Sequence, residues 1–141
     1  MRVHAGDEKI TLDQAPANIQ KAIKKTAGSN EIIRIEKATE HDQVQYEALT
    51  KKSDGKKIEF ILNADGSLDA TEEPISKGEL PDAVAKTVGS TVAGGKIHGI
   101  ERITKDGSVT YEVGYKSAKG EKQEAVFSST GKLLKKGEDK D

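Results

Sequence analysis

Residues 96–115 read KIHGIERITKDGSVTYEVGY and largely repeat residues 31–50, which read EIIRIEKATEHDQVQYEALT. The similarity extends over most of the chain. With an offset of 65 positions, residues 10–74 align with residues 75–139 without a gap, and 18 of the 65 pairs are identical. Chance composition does not place prolines, tyrosines and turn glycines in register in this way. Self-similarity at a fixed offset indicates repeated structural units. The chain is therefore a tandem duplication.

Each repeat begins with the signals of a helix start. Thr11–Gln14 and Ser76–Glu79 both have a hydroxyl residue followed three positions later by Gln or Glu, the pattern of a capping box. Pro16 and Pro81 follow two positions after these boxes, and proline is favoured at the first position of a helix. Apolar residues then recur at helical spacing, and Gly28 ends the pattern in the first repeat. The sequence predicts one amphipathic helix of about three turns in each repeat, beginning at the proline.

Three strand-like segments follow the helix in each repeat. They alternate apolar with polar residues and end at turn pairs such as Asp106-Gly107. The predicted strands cover residues 32–39, 44–51 and 57–63 in the first repeat and residues 97–104, 109–116 and 122–128 in the second. The sequence does not decide whether a short fourth strand follows at Leu68 and Leu133. Each repeat is therefore predicted to be α-β-β-β or α-β-β-β-β.

The alternation within the strands separates two faces of the predicted sheet. Tyr111 and Val113 point to one face, and Thr110 and Glu112 point to the other. An antiparallel sheet with one apolar and one polar face needs one covering layer, which the single helix supplies. Tyr111 and its repeat equivalent Tyr46 are then core residues beneath the helices. The expected fold class is α+β, with two tandem α-β-β-β(-β) repeats that form an antiparallel sheet with helices on one face.

The repeats define the organisation of the chain. We expect a polar lead-in at 1–9, a first repeat at 10–74, a second repeat at 75–136 and a charged tail at 137–141.

Charged residues make up 33% of the chain but its net charge is only −1, so nucleic-acid binding is not expected. The longest apolar runs are a few residues, which excludes a predicted membrane-inserted segment. The lead-in has no apolar h-region, so the sequence as given shows no signal peptide.

Two stretches of the sequence partly resemble ligand-binding motifs, but neither matches its motif in full. The stretch 89–96 resembles a phosphate loop, but its glycine spacing is too long and Ile97 stands where Ser or Thr must bind magnesium. The stretch 61–72 falls partly into calcium-loop spacing, but its first ligand position is Ile61, which cannot coordinate a cation. The chain has no cysteine, and its three histidines lie far apart in sequence. We therefore predict no catalytic residues, no cofactor and no metal site, and a chain that is not an enzyme.

Four motifs of the second repeat carry a family resemblance: LPDAV at 80–84, GKIHGIER at 95–102, DGSVTYEV at 106–113 and AVFSSTGKLL at 125–134. With these motifs the chain resembles the PepSY-like domains, close to the beta-lactamase-inhibitor-like group. The motifs comprise a helix start, a core tyrosine and turn glycines, so they are more specific for fold than for activity.

The resemblance implies a role and a location. Members of the family are typically exported bacterial proteins, which implies that this chain is periplasmic or secreted. A tandem pair forms the beta-lactamase inhibitor protein, which binds its enzyme through the exposed sheet face. The implied role is a non-catalytic protein-binding module that inhibits or regulates a protease or another hydrolase. We expect the chain to be a monomer.

The predicted binding surface is the sheet face opposite the helices. Its members are polar residues mixed with a few apolar ones: Glu47, Leu49, Glu59, Ile61, Glu112, Lys116, Glu124 and Val126. Two alternatives stay open, since the chain has no Trp and few other residues typical of binding hot spots. One is a structural or sensory cell-envelope protein without a tight partner. The other, less favoured, is a hydrolase that uses the sheet-face glutamates.

Overall fold

The computed structural model describes residues 7–138, and these residues form two compact units divided between Glu72 and Glu73. The predicted lead-in at 1–9 and tail at 137–141 lie partly outside the described residues. Within residues 7–138, neither helix combines the length and the apolar character that crossing a membrane requires.

Each unit contains one α-helix and a set of antiparallel strands. The helices are α1 (Ala17–Ala27) and α2 (Asp82–Thr91), each preceded by a short 3₁₀ turn at Leu12–Gln14 or Lys77–Glu79. The strands are β1 (Glu8–Ile10), β2 (Glu31–Glu40), β3 (Gln43–Lys51), β4 (Lys57–Asn63), β5 (Leu68–Ile75), β6 (Lys96–Lys105), β7 (Ser108–Lys116), β8 (Lys122–Ser128) and β9 (Leu133–Glu138).

The helix starts follow from the capping boxes. The backbone N–H of Thr11 donates to Oε1 of Gln14 at 2.8 Å, and in the second unit the backbone N–H of Ser76 donates to Oε2 of Glu79 at 3.0 Å. Proline then stands immediately before each helix, so the helices begin one residue later than the sequence predicts. The end of α1 at Gly28, with a positive φ of 56°, agrees with the prediction.

The strand order follows the chain order within each unit. In the first unit β1 to β5 pair in succession, and in the second unit β6 to β9 do the same, always antiparallel. The hairpin turns at His41-Asp42 and Asp106-Gly107 have positive φ at both residues. That backbone conformation matches the twist of the flanking strands, which is why Asn, Asp and Gly favour such turns. The six predicted main strands lie within one residue of their observed bounds.

One part of the sheet differs from the sequence prediction, and another settles an alternative that the sequence left open. Glu8 and Lys9, expected to belong to the polar lead-in, form strand β1 together with Ile10, and this strand pairs with β2. The fourth strand of each repeat is a full strand, of eight residues in β5 and six in β9. Short polar segments like these carry little alternation, and they become strands because a neighbouring strand supplies their hydrogen bonds.

The helix of each unit covers one sheet face and forms the core there. Tyr46 and Tyr111 are both 6% exposed and lie in these cores, as the sequence predicts. The first core comprises Ala15, Ile19, Ile23, Ile35, Tyr46, Ala48 and Leu62; the second comprises Leu80, Val84, Val88, Ile100, Tyr111, Val113, Tyr115, Ala125 and Phe127. The predicted α+β class, with one helix layer on an antiparallel sheet in each repeat, is confirmed.

Candidate functional site

Two rows of side chains cross the strands of the first unit on the sheet face that its helix does not cover. We call this surface the unit 1 face. Its rows follow from the strand register: Arg34, Leu49, Glu59 and Glu72 form one, and Glu36, Glu47, Ile61 and Ala70 form the other. It therefore contains all four first-repeat residues that the sequence predicts to bind a protein.

The second unit has the corresponding two rows. We call this surface the unit 2 face. One row is Gly99, Gly114, Glu124 and Gly137, and the other is Glu101, Glu112, Val126 and Lys135. It brings together Glu112, Glu124 and Val126, three of the residues predicted from the second repeat. The fourth, Lys116, is exposed in the next row, where it pairs with Lys122.

The prediction that the unit 1 face is open to solvent is wrong. Ile61 is 0% exposed and Glu47 is 4% exposed, and Leu49 and Glu59 are half-buried. Arg34, Glu36, Glu47, Leu49 and Glu59 line a cavity of only about 10 Å³ on this face. That is about the volume needed for one water molecule. Alternation correctly places these residues opposite the helix, but it does not show what packs around them.

The unit 1 face is a compact group of opposite charges. Nε of Arg34 lies 2.6 Å from Oε1 of Glu36, and both side chains line the small cavity together with Glu47 and Glu59. Burial raises the pKa of Glu36, while Arg34 acts to lower it and the nearby Asp7 and Glu59 carboxylates act to raise it. The guanidinium therefore offsets part of the cost of gathering carboxylates in a partly buried place.

Three carboxylates of this group lie close enough to share a cation. Asp7, Glu36 and Glu47 each place one oxygen within 4.8 Å of the others. Calcium takes six to eight oxygen ligands, and here Arg34 already supplies a positive charge 2.6 Å from Glu36. We therefore assign no metal site to these residues.

The unit 2 face gathers carboxylates without an arginine in its rows. Glu112 is half-buried on β7, directly opposite Glu101 on β6, and Glu124 lies on the adjacent strand β8. Burial raises the pKa of Glu112 to about 8, and the nearby carboxylates of Glu124 and Glu101 contribute to the increase. Glu112 is thus not the ordinary surface glutamate that strand alternation suggests. Glu101 was missed by the sequence prediction, although its identity with Glu36 in the aligned repeats was a usable signal.

Replacing Glu112 by glutamine should stabilise the protein at about pH 8.5 and have little effect at about pH 4. The pKa of Glu112 is about 8 in the folded state and 4.5 ordinarily, so between these values the folded protein keeps a proton that the unfolded chain releases. The free energy of unfolding of the wild type therefore falls as the pH rises through this window. Glutamine does not titrate and so avoids this destabilisation. At about pH 8.5 we expect Glu112→Gln to raise the free energy of unfolding by on the order of 1–2 kcal/mol, after allowing for solvent screening.

Urea unfolding of both proteins across the pH range measures this effect. The control is Glu121→Gln, which makes the same substitution on the exposed β7–β8 turn. A Glu112→Gln effect that is the same at both ends of the pH range would contradict the raised pKa.

Three solved structures are similar to this chain in fold. A DUF2874 family protein from Bacteroides uniformis has 20% identity and a TM-score of 0.74, over 88% of this chain and 89% of that chain. A BLIP-like protein from Bacteroides fragilis has 23% identity and a TM-score of 0.70, over 90% of this chain and 88% of that chain. A protein from Bacteroides eggerthii, one of the "putative periplasmic proteins", has 16% identity and a TM-score of 0.75, over 88% of each chain. Identities this low show a common fold alone.

A family model matches the chain over residues 1–51 and 45–135. The family is described as "Putative beta-lactamase-inhibitor-like, PepSY-like". No curated protein matches the chain. Because the two matched regions together cover nearly the whole chain and include both repeats, the chain belongs to the PepSY-like, beta-lactamase-inhibitor-like family.

Proposed function

We propose that this chain is a non-catalytic protein-binding module of the bacterial cell envelope, and that it contacts its partner through the unit 2 face. The observation that carries the proposal is the contrast between the two repeat faces. Ile61 at the centre of the unit 1 face is fully buried, whereas its repeat equivalent Val126 is partly exposed between Glu112 and Lys135. An apolar centre within a charged surround is the usual anatomy of a protein interface.

Family membership supports both the class of function and the location. The family is described as beta-lactamase-inhibitor-like, which favours a protease or another hydrolase as the partner. The B. eggerthii neighbour is described as one of the "putative periplasmic proteins", which favours an extracytoplasmic site of action. Within the predicted binding surface, Glu47 and Ile61 are buried, and Leu49 and Glu59 line the small cavity beside Arg34. The residues proposed to bind are therefore Glu112, Lys116, Glu124 and Val126.

The test compares two single lysine substitutions. Val126→Lys places a charge at the apolar centre of the unit 2 face, and Ser90→Lys places the same side chain on an exposed position of α2. A partner recovered from envelope extract should bind Val126→Lys at least about tenfold more weakly than the wild type. It should bind Ser90→Lys with unchanged affinity. Substituting Ile61 is not informative, because a buried lysine there would unfold the first unit.

Two outcomes would contradict the proposal. Equal binding by both variants would place the interface elsewhere on the chain. Failure to recover any partner would favour the structural or sensory alternative.

Whether the partner is cleaved distinguishes a hydrolase from a binding module. A carboxyl group with a pKa of about 8, as in Glu112, next to a second carboxylate, as in Glu124, is an arrangement that general acid catalysis also uses. A binding module leaves its partner chemically intact after long incubation. Cleavage that Glu112→Gln abolishes would instead identify a hydrolase.

A further inference from the structure

A cavity of about 350 Å³ lies in the second unit, beside the C-terminal end of α2. It is lined by the end of α2, by the turn between β7 and β8, and by side chains of β7, β8 and β9. Its volume falls within the range of roughly 300–1,000 Å³ that small-molecule sites occupy. Tyr115 lines the cavity and belongs to the core that α2 covers, so the cavity is on the helix side of the sheet, away from the unit 2 face.

The Tyr115 hydroxyl has no hydrogen-bond partner among the described residues, although the side chain is only 2% exposed. Buried polar groups are nearly always hydrogen-bonded, because a buried donor without an acceptor lowers stability. Tyrosine in a core normally extends its hydroxyl to a partner. A buried hydroxyl of this kind, on a side chain that lines a cavity, is suited to bond a group that enters the cavity.

The first repeat satisfies the equivalent position from within the protein. Thr50 is the counterpart of Tyr115, and its hydroxyl donates to a carbonyl oxygen of β4 at 3.0 Å and accepts from Nδ2 of Asn30 at 3.3 Å. In the second repeat Gly95 stands in place of Asn30, so that donor is missing. A further polar side chain is present instead, since Gln123 pairs directly with Tyr115 in the strand register and also lines the cavity.

Two turns that pack closely together form one wall of the cavity. A Cβ added to Gly95 would stand 2.4 Å from the carbonyl oxygen of Lys116, and one added to Gly94 would stand 3.3 Å from Cβ of Ala118. The turn between β7 and β8 is itself held by the backbone N–H of Gly120, which donates to the carbonyl oxygen of Ser117 at 2.8 Å. The cavity is therefore formed by the fold before any ligand arrives.

The charged groups around the cavity favour an anion. Lys119 and Lys136 line it together with one acidic residue, Glu121. The C-terminal end of α2 adds partial negative charge, equivalent to roughly half an elementary charge, so the sum remains positive. Val92 and Ala118 add apolar surface to the walls.

We propose that this cavity binds a small carboxylic acid with a compact apolar body, and that the carboxylate accepts a hydrogen bond from the Tyr115 hydroxyl. Lys119 and Lys136 then supply the compensating positive charge, and the apolar body packs against Val92 and the Tyr115 ring. This site does not depend on the proposed protein-binding face, which lies on the other side of the sheet.

The probe is benzoate, titrated into the isotope-labelled full chain at about pH 7, where the carboxyl group is ionised. The matched control is benzamide, which has nearly the same shape and no charge. We expect the amide signals of Val92, Ser117 and Gln123 to shift and saturate with benzoate, and benzamide should bind at least about tenfold more weakly. Equal binding of the two compounds, or shifts that do not saturate, would overturn the proposal.

Tyr115→Phe removes the hydroxyl and keeps the ring. Because the hydroxyl has no partner among the described residues, this variant should unfold at a urea concentration no lower than the wild type does. It should nevertheless bind benzoate at least about tenfold more weakly. The control is Tyr111→Phe on the same strand, which should leave benzoate binding unchanged.

Two results for Tyr115→Phe would contradict the proposal. Benzoate affinity equal to that of the wild type would show that the hydroxyl takes no part in binding. A lower urea midpoint would show that the hydroxyl already bonds within the protein.

Adjacent lysines on β9 test the role of charge. Lys136 pairs with the core residue Ala125 and so lies on the helix side of the sheet, whereas Lys135 pairs with Val126 on the unit 2 face. Lys136→Gln should weaken benzoate binding by about threefold or more, and Lys135→Gln should leave it unchanged. If both substitutions weaken binding equally, benzoate responds only to the net charge of the protein and the proposed site is wrong.

Discussion

Truncation of Tyr111 to alanine is expected to lower the free energy of unfolding by about 3–5 kcal/mol, the range for aromatic side chains removed from a core. Tyr111 is 6% exposed and lies opposite Phe127 in the strand register. It belongs to the cluster that includes Val84 and Val88 of α2, both 0% exposed. Removing its ring therefore leaves a cavity between sheet and helix that rigid neighbours on both sides fill only in part.

Urea unfolding followed by circular dichroism measures this loss, with Tyr111→Phe as the control. The control keeps the ring and should change the free energy of unfolding by less than about 1.5 kcal/mol. A Tyr111→Ala variant as stable as the control would show that α2 does not cover this face of the sheet.

Gly131→Ala is expected to cost about 3 kcal/mol or more, because both the backbone conformation and the available space oppose a side chain. Gly131 has a φ of 93°, and an added Cβ would stand 2.5 Å from the carbonyl oxygen of Ala83 and 2.9 Å from its carbonyl carbon. Ala83 lies in the first turn of α2, so relief requires the helix to move away from the β8–β9 turn.

The first repeat supplies the matched control at Gly66. Its φ is 90°, but the nearest atom to an added Cβ is the carbonyl oxygen of Asn18 at 3.5 Å, an ordinary contact. Gly66→Ala should therefore lower the free energy of unfolding only by the cost of placing alanine at a positive φ, about 1–2 kcal/mol. Urea unfolding compares the two variants, and hydrogen exchange of the α2 amides should rise in Gly131→Ala alone. Equal losses of unfolding free energy in the two variants would show that α2 moves away from the added methyl group at no cost in stability.

Local signals in the sequence predict most of the fold. Capping boxes and prolines set the helix starts, because unsatisfied N–H groups and a fixed φ act within a few residues. Turn residues such as Asp106 and Gly107 set the hairpins, because few residues tolerate positive φ. Alternation places Tyr111 beneath the helix. Strand β1 was missed because Glu8 and Lys9 carry no apolar alternation, and its pairing with β2 is a tertiary event.

Only the tertiary structure determines how deeply residues are buried on the sheet face opposite the helix. Ile61 and Val126 occupy the same position of the repeat and point to the same side of their strands, yet one is fully buried and the other partly exposed. Periodicity fixes the direction of a side chain, since it is a property of one strand. Burial depends on what the tertiary structure brings beside a strand, and the neighbouring row differs among the described residues: Arg34 pairs with Leu49 in the first unit, where Gly99 pairs with Gly114 in the second.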